Sequence, residues 1–170
     1  AGDTIGGDCS GFLQQYLSQM WQCTITEYSN NRNERTEEMA HSEKVIQELE
    51  DKANIVRHNI FRIFDSSKGG HCGGTMSIVE IVTALYFHHL KLQPGNYDWP
   101  ERDRVVLSKA HCCEAIYAVL PEIGYVPREA LDTYYCYCSP FQGHADRWCT
   151  PGIDYSGGSL GQGLSFAVGM

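Results

Sequence analysis

The chain has 170 residues, of which 42% are hydrophobic and 20% charged, the composition of a globular protein with one good core and room for an appendage. A formal net charge of −8 excludes nucleic acid as the expected partner, because a phosphate footprint needs clustered Lys and Arg. No apolar run is long enough to span a bilayer, and the first residues lack the basic start and apolar core of a signal peptide, so no membrane partner and a cytoplasmic location are expected.

Residues 1–38 stand apart. Phe12, Leu13, Tyr16, Leu17, Met20 and Trp21 recur at helical spacing, and the polar run 28–38 that follows reads as a linker. Met39 lies at the junction, so the functional domain is expected over 39–170, with 1–38 an extension of unknown role. From Ser42, Val45, Leu49, Ala53, Val56, Ile60 and Phe64 make a helical stripe, widened by Ile46, Phe61 and Ile63. Gly69-Gly70-His71-Cys72-Gly73-Gly74 then sets one histidine among four glycines. Such a loop can present His71 to a cleft, although the hexapeptide alone fits a solvated loop histidine equally well.

Ser77-Ile78-Val79-Glu80 has the form of a capping box before a buried helix carrying Ile81, Val82, Leu85 and Tyr86, with His88 and His89 as structural groups near its end. After a turn-rich connection, Val105-Val106-Leu107 reads as a short buried strand. Ser108-Lys109-Ala110-His111 comes at its C-terminal end, where open α/β sheets bind ligands. Residues 114–120 read as a helix packed back on that sheet. Pro127-Arg128-Glu129 opens another, with Leu131, Tyr134, Tyr135 and Cys138 on one face. A second histidine loop, Gly143-His144, precedes a glycine-rich loop over 151–165, and a further helix is expected after Gly163.

The eight cysteines, Cys9, Cys23, Cys72, Cys112, Cys113, Cys136, Cys138 and Cys149, include no C-x-x-C pair, and their spacings fit no zinc pattern. They are expected to be free thiols packed as small apolar groups.

Taken in order, Gly70-His71-Cys72-Gly73-Gly74, the run from Arg102 to His111, Gly143-His144 and the run from Gly158 to Ser165 resemble transketolase. The resemblance extends from about Met39 to Met170 and is closest to the N-terminal subunit of split bacterial transketolases. It implies an α/β fold that is part of a thiamine diphosphate-binding domain, a parallel sheet flanked by helices and helix-rich in this segment. It also implies transfer of a two-carbon ketol unit between sugar phosphates, using thiamine diphosphate with a divalent metal (Mg or Ca). By matching position, His111 would lie near the cofactor diphosphate, and Gly158, Ser159 and Leu160 would offer backbone contacts to its rings. His71 and His144 would meet substrate hydroxyls and assist proton transfers, a task imidazole suits near neutral pH.

The sequence departs from the family pattern at Ala110, Cys112, Cys113, Glu114, Asp146 and Gly157. By resemblance, the metal ligands and the glutamate that activates the cofactor lie outside this chain. The site would then be shared with a C-terminal transketolase subunit or domain, in a homodimer or heterotetramer, and this chain alone would be inactive. Competing readings are a deoxyxylulose-phosphate synthase-like enzyme, a non-catalytic scaffold subunit, and a metal-binding protein built on the His and Cys residues.

Overall fold

The computed structural model describes residues 43–67 and 69–170. The amphipathic segment within 1–38, the polar run 28–38, the boundary at Met39, and Cys9 and Cys23 lie outside the described residues.

The long helix α1 runs over Glu43–Ser67, as the stripe predicts. Ala53, Val56, Ile60 and Ile63 are buried, whereas Ile46 and Phe61 remain exposed. Only one of the three residues expected to widen the stripe therefore does so. Beneath α1 lies α4, Cys113–Val119, every residue of which is buried. Burying Ile116, Tyr117 and Val119 in one core with Val56 and Ile60 removes large apolar surfaces from water, at about 1.5–3 kcal/mol for each fully buried large side chain. Asn59 donates from Nδ2 to the Ala118 carbonyl at 2.8 Å and to Glu122 at 3.0 Å, so the polar atom at this contact is satisfied.

Two short helices precede α4 in the chain, α2 (Cys72–Met76) and α3 (Val79–Ala84), the second passing into a π-helical turn over Leu85–His89. The capping box does not form. Ser77 Oγ turns back to donate to the Gly74 carbonyl at 2.7 Å, and Glu80 pairs with Arg57 on α1. Competition from a nearby carbonyl and a nearby guanidinium thus overrides the local motif.

Two further elements differ from expectation. Residues 105–107 are buried, but they form no strand among the described residues, so the parallel sheet is not seen there. Outside a sheet its backbone groups need other partners, and Val105 N–H donates to Asp154 at 3.0 Å. The helix expected after Pro127 is a six-residue 3₁₀ turn, Arg128–Thr133. It stops because Tyr135 and Cys138 take positive φ values of 61° and 63°, which no right-handed helix accommodates. Leu131 and Tyr134 are buried as the expected face requires, while Tyr135 and Cys138 are exposed. The final helix α5 spans Gln162–Gly169 and starts after Gly161, whose φ of 91° makes the chain turn there.

Candidate functional site

Helix α4 organises three loops around one cleft. At its N-terminal side, the 3₁₀ turn Ala110–Cys112 carries His111. One residue into α4, Glu114 reaches the loop before α2, where His71 N–H donates to its Oε1 at 3.1 Å. On the same helix, Tyr117 OH donates to the Gln142 carbonyl at 2.9 Å, and Cys113 Sγ lies 3.4 Å from the Gly143 carbonyl. These bonds seat the loop that carries His144.

The three imidazoles consequently converge. The His71 ring centroid lies 5.4 Å from that of His111 and 5.9 Å from that of His144, both edge-on. His71 and His144 are exposed and His111 is half-buried. Burial, with the neighbouring His71, Lys109 and His144, lowers the His111 pKa below its ordinary 6.5, against an opposing pull from Glu114. His111 is then a neutral imidazole at pH 7, able to donate from one nitrogen and accept at the other.

Close backbone packing fixes the walls of the cleft. A Cβ on Gly74 would stand 2.7 Å from Cys112 Sγ, so α2 lies directly against the His111 turn. Lys109 Nζ secures that contact through the Gly74 carbonyl at 3.1 Å and Ser77 Oγ at 3.0 Å. A Cβ on Gly163 would meet the Ser108 Cα at 2.7 Å, and Gly161 N–H donates to the Ser108 carbonyl at 3.3 Å. The glycine-rich loop is thereby tied to the strip that ends in His111. Asp146 joins the other histidine loop to it, accepting from Ser156 Oγ at 3.0 Å and from Trp148 N–H at 2.9 Å, which hold its pKa down.

Of the six residues singled out from sequence, the structure gathers His71, His111 and His144. Gly158, Ser159 and Leu160 lie apart from them on the adjoining loop, exposed, with open space around the Gly158 Cα. Ser108 Oγ is buried without a hydrogen-bond partner in that same strip. An unpaired buried hydroxyl, an open glycine backbone and a neutral imidazole are each of a chemical type that a cofactor with flat rings and an anionic tail can use.

Among the described residues, no three His, Cys, Asp or Glu side chains are grouped to hold a metal ion. Burial pushes the Cys113 thiol up to about 12 and raises Cys112 as well, so both stay protonated and apolar in character.

Sequence reasoning missed Glu114, Tyr117, Tyr134 and Ser108. Glu114 had a signal, since it is the one charged residue in the otherwise apolar run from Cys112 to Leu120.

Three clustered imidazoles and a glycine-rich loop tied to the strip that ends in His111 make up the candidate site. The chain belongs to the transketolase family: residues 48–170 match the transketolase thiamine diphosphate-binding domain. It is 46% identical over 123 residues to the 6-deoxy-6-sulfo-D-fructose transketolase subunit SqwG of Clostridium sp. (strain MSTE9), covering 72% of this chain and 45% of that protein. It is 42% identical over 124 residues to an apulose-4-phosphate transketolase subunit of Actinobacillus succinogenes, with the same coverages. Among solved structures, transketolase from Leishmania mexicana superposes with a TM-score of 0.67 at 34% identity, over 71% of this chain and 18% of that one. The chain spans about 45% of the length of the two subunits it matches. No described helix is long and apolar enough to cross a membrane.

Proposed function

We propose that this chain forms part of a transketolase subunit that moves a two-carbon ketol unit between sugar phosphates. The observation that carries this reading is the convergence of His71, His111 and His144 from three separate loops beside the glycine loop. Membership of the thiamine diphosphate-binding domain family supplies the cofactor. When bound, thiamine diphosphate provides the carbon nucleophile and the electron sink for breaking and making the C–C bond.

In this reading the chain's own residues bind, orient and move protons. Neutral His111 and Ser108 Oγ face the diphosphate side. The exposed backbone of Gly158, Ser159 and Leu160 meets the rings, where any bulkier backbone cover would block approach. His71 and His144 hold the substrate hydroxyls and relay the proton between a hydroxyl oxygen and the carbonyl oxygen it becomes. Imidazole exchanges protons near neutral pH, which suits both directions of the transfer.

The divalent metal, Mg or Ca, takes its ligands outside this chain. The functional domain begins near Met39, its segment 105–107 joins a parallel sheet in the whole domain, and the setting is the cytoplasm. The relatives named as subunits favour a C-terminal transketolase partner, in a heterotetramer or, within one longer chain, a homodimer.

The test is ketol transfer by the complete subunit in complex with its C-terminal partner, assayed with ketose phosphate donors and aldose phosphate acceptors. Thiamine-dependent transfer is expected. An assembled, cofactor-loaded enzyme that transfers no ketol unit would sink the reading. The isolated chain is expected to bind thiamine diphosphate only weakly, and micromolar affinity by calorimetry would contradict the shared site.

A further inference from the structure

Glu114 is fully buried, and no lysine or arginine is paired with it among the described residues. Its carboxyl group instead collects neutral donors. Tyr134 OH donates to Oε1 at 2.7 Å, His71 N–H donates to Oε1 at 3.1 Å, and Thr75 Oγ1 donates to Oε2 at 2.9 Å. A carboxylate offers about two acceptor positions on each oxygen, so Oε1 already holds two donors and the position left open is on Oε2. The remaining neighbour is His71 Nδ1, 3.7 Å from Oε1. Gly70 is pressed onto the same oxygen: a Cβ there would lie 2.9 Å from Oε1 and collide with the Phe64 ring, and its φ of 142° suits glycine alone. The loop before α2 is therefore moulded onto Glu114 by backbone, hydroxyl and imidazole together. Burial and the bond to Glu114 raise the Tyr134 pKa, so that hydroxyl remains a donor.

We propose that Glu114 is a positioning residue for His71: it anchors the His71 backbone and draws the imidazole proton to Nδ1, leaving Nε2 as the nitrogen that faces the cleft. At 3.7 Å the Nδ1 contact is longer than a hydrogen bond, and the proposal requires it to shorten to one when substrate is bound. A carboxylate that fixes an imidazole tautomer through its rear nitrogen sets which nitrogen can take up or release a proton at the front. The role rests on the reading above that His71 meets substrate.

The test uses the complete subunit in complex with its partner. The ¹⁵N shifts of the His71 side chain in the wild type should report the Nδ1–H tautomer, and Glu114→Gln should shift the population toward Nε2–H. Glu114→Gln should also lower kcat by about tenfold to a hundredfold, with KM within about twofold and the unfolding midpoint unchanged. Glu114→Asp, which keeps the charge, should recover part of that loss. An Nε2–H tautomer in the wild type would overturn the inference, and so would a Glu114→Gln enzyme with wild-type kcat. If Glu114→Gln does not fold, the wild-type tautomer alone decides. A wild-type enzyme without ketol transfer but with the Nδ1–H tautomer defeats the functional reading and leaves the Glu114–His71 coupling standing.

Discussion

Asp154 and Glu114 are both buried carboxyl groups, and they are partnered in opposite ways. Asp154 takes a two-pronged grip from Arg102, with Nη2–Oδ1 at 2.6 Å and Nη1–Oδ2 at 2.9 Å, plus Arg104 at 3.2 Å and the Val105 N–H. Burial works against the Arg102 charge, but the hydrogen bond and attraction of Asp154 raise its pKa overall. Among the described residues Glu114 meets no guanidinium, only hydroxyls, a backbone N–H and the edge of an exposed imidazole. The first cluster satisfies its charges internally and clamps the glycine-rich loop to residues 102–105. The second leaves its influence directed at a histidine in the cleft. One buried acid closes its charge within the fold, while the other, in the role proposed above, acts on the histidine beside it.

The comparison breaks most visibly at Asp154. Asp154→Ala would strand Arg102, whose side chain is only 5% exposed, without its counter-charge. A loss of about 3–5 kcal/mol in unfolding free energy is expected, measured by urea titration. Replacing both partners, Arg102→Met with Asp154→Leu, should recover most of it, because no charge is then left unpaired. If the double variant is as unstable as the single, the cluster matters for more than charge pairing.

The histidines should behave in the reverse manner. His71→Ala and His144→Ala remove exposed side chains, so the urea midpoint should hardly move. Turnover by the assembled enzyme should fall by about 10²–10⁴-fold, the usual contribution of a positioned proton donor or acceptor. Stability falling in step with activity would mean that these imidazoles support the fold, and the contrast with Asp154 would fail.

Two glycines sharpen the same contrast on a smaller scale. Gly163→Ala forces a Cβ to 2.7 Å from the Ser108 Cα, a backbone neighbour that cannot swing aside. About 1–3 kcal/mol of destabilisation is expected in thermal or chemical unfolding. Gly158→Ala meets nothing within 4 Å and should leave stability unchanged. Its effect should fall on thiamine diphosphate affinity, measured by calorimetry on the assembled enzyme. Equal destabilisation at both positions would remove the distinction between a packed glycine and a ligand-facing one.

The histidines, the glycine loop and the stripe of α1 were legible because each is local: a residue type at a spacing, or a helical period sustained along the chain. What was not legible depends on distant partners. Glu114 meets Thr75 and Tyr134 across gaps of 39 and 20 residues, and Asp154 meets Arg102 across 52. The Ser77–Glu80 motif fits a cap locally, yet Arg57 claims Glu80 from 23 residues away. The run 105–107 is buried as its apolar composition requires, but no strand forms there among the described residues, because a strand needs a partner that a local pattern does not specify. The helix after Pro127 fails at Tyr135 and Cys138, where close packing of Tyr135 on Gly143 outweighs helical preference.

The smallest expected effect concerns His111, and it separates the two regions by pH. Burial and the nearby His71, Lys109 and His144 lower its pKa in the folded protein below the ordinary 6.5. As pH falls through 6.5, the unfolded chain takes up the proton first and the folded chain resists, so the equilibrium tilts toward unfolding. The stability tied to His111 is complete above 6.5 and is lost as pH falls toward the folded value. His111→Gln keeps a polar side chain that does not titrate, so its unfolding free energy should decline less than the wild type's between about pH 7.5 and about pH 5.5. Asp154→Ala, far less stable throughout, should retain the wild-type slope over that interval, because His111 and its neighbours are untouched. Should His111→Gln decline as steeply as the wild type, burial and the neighbouring cations do not depress the His111 pKa in the folded protein. Should Asp154→Ala flatten the slope, the Asp154 cluster and the surroundings of His111 belong to one cooperative unit rather than two.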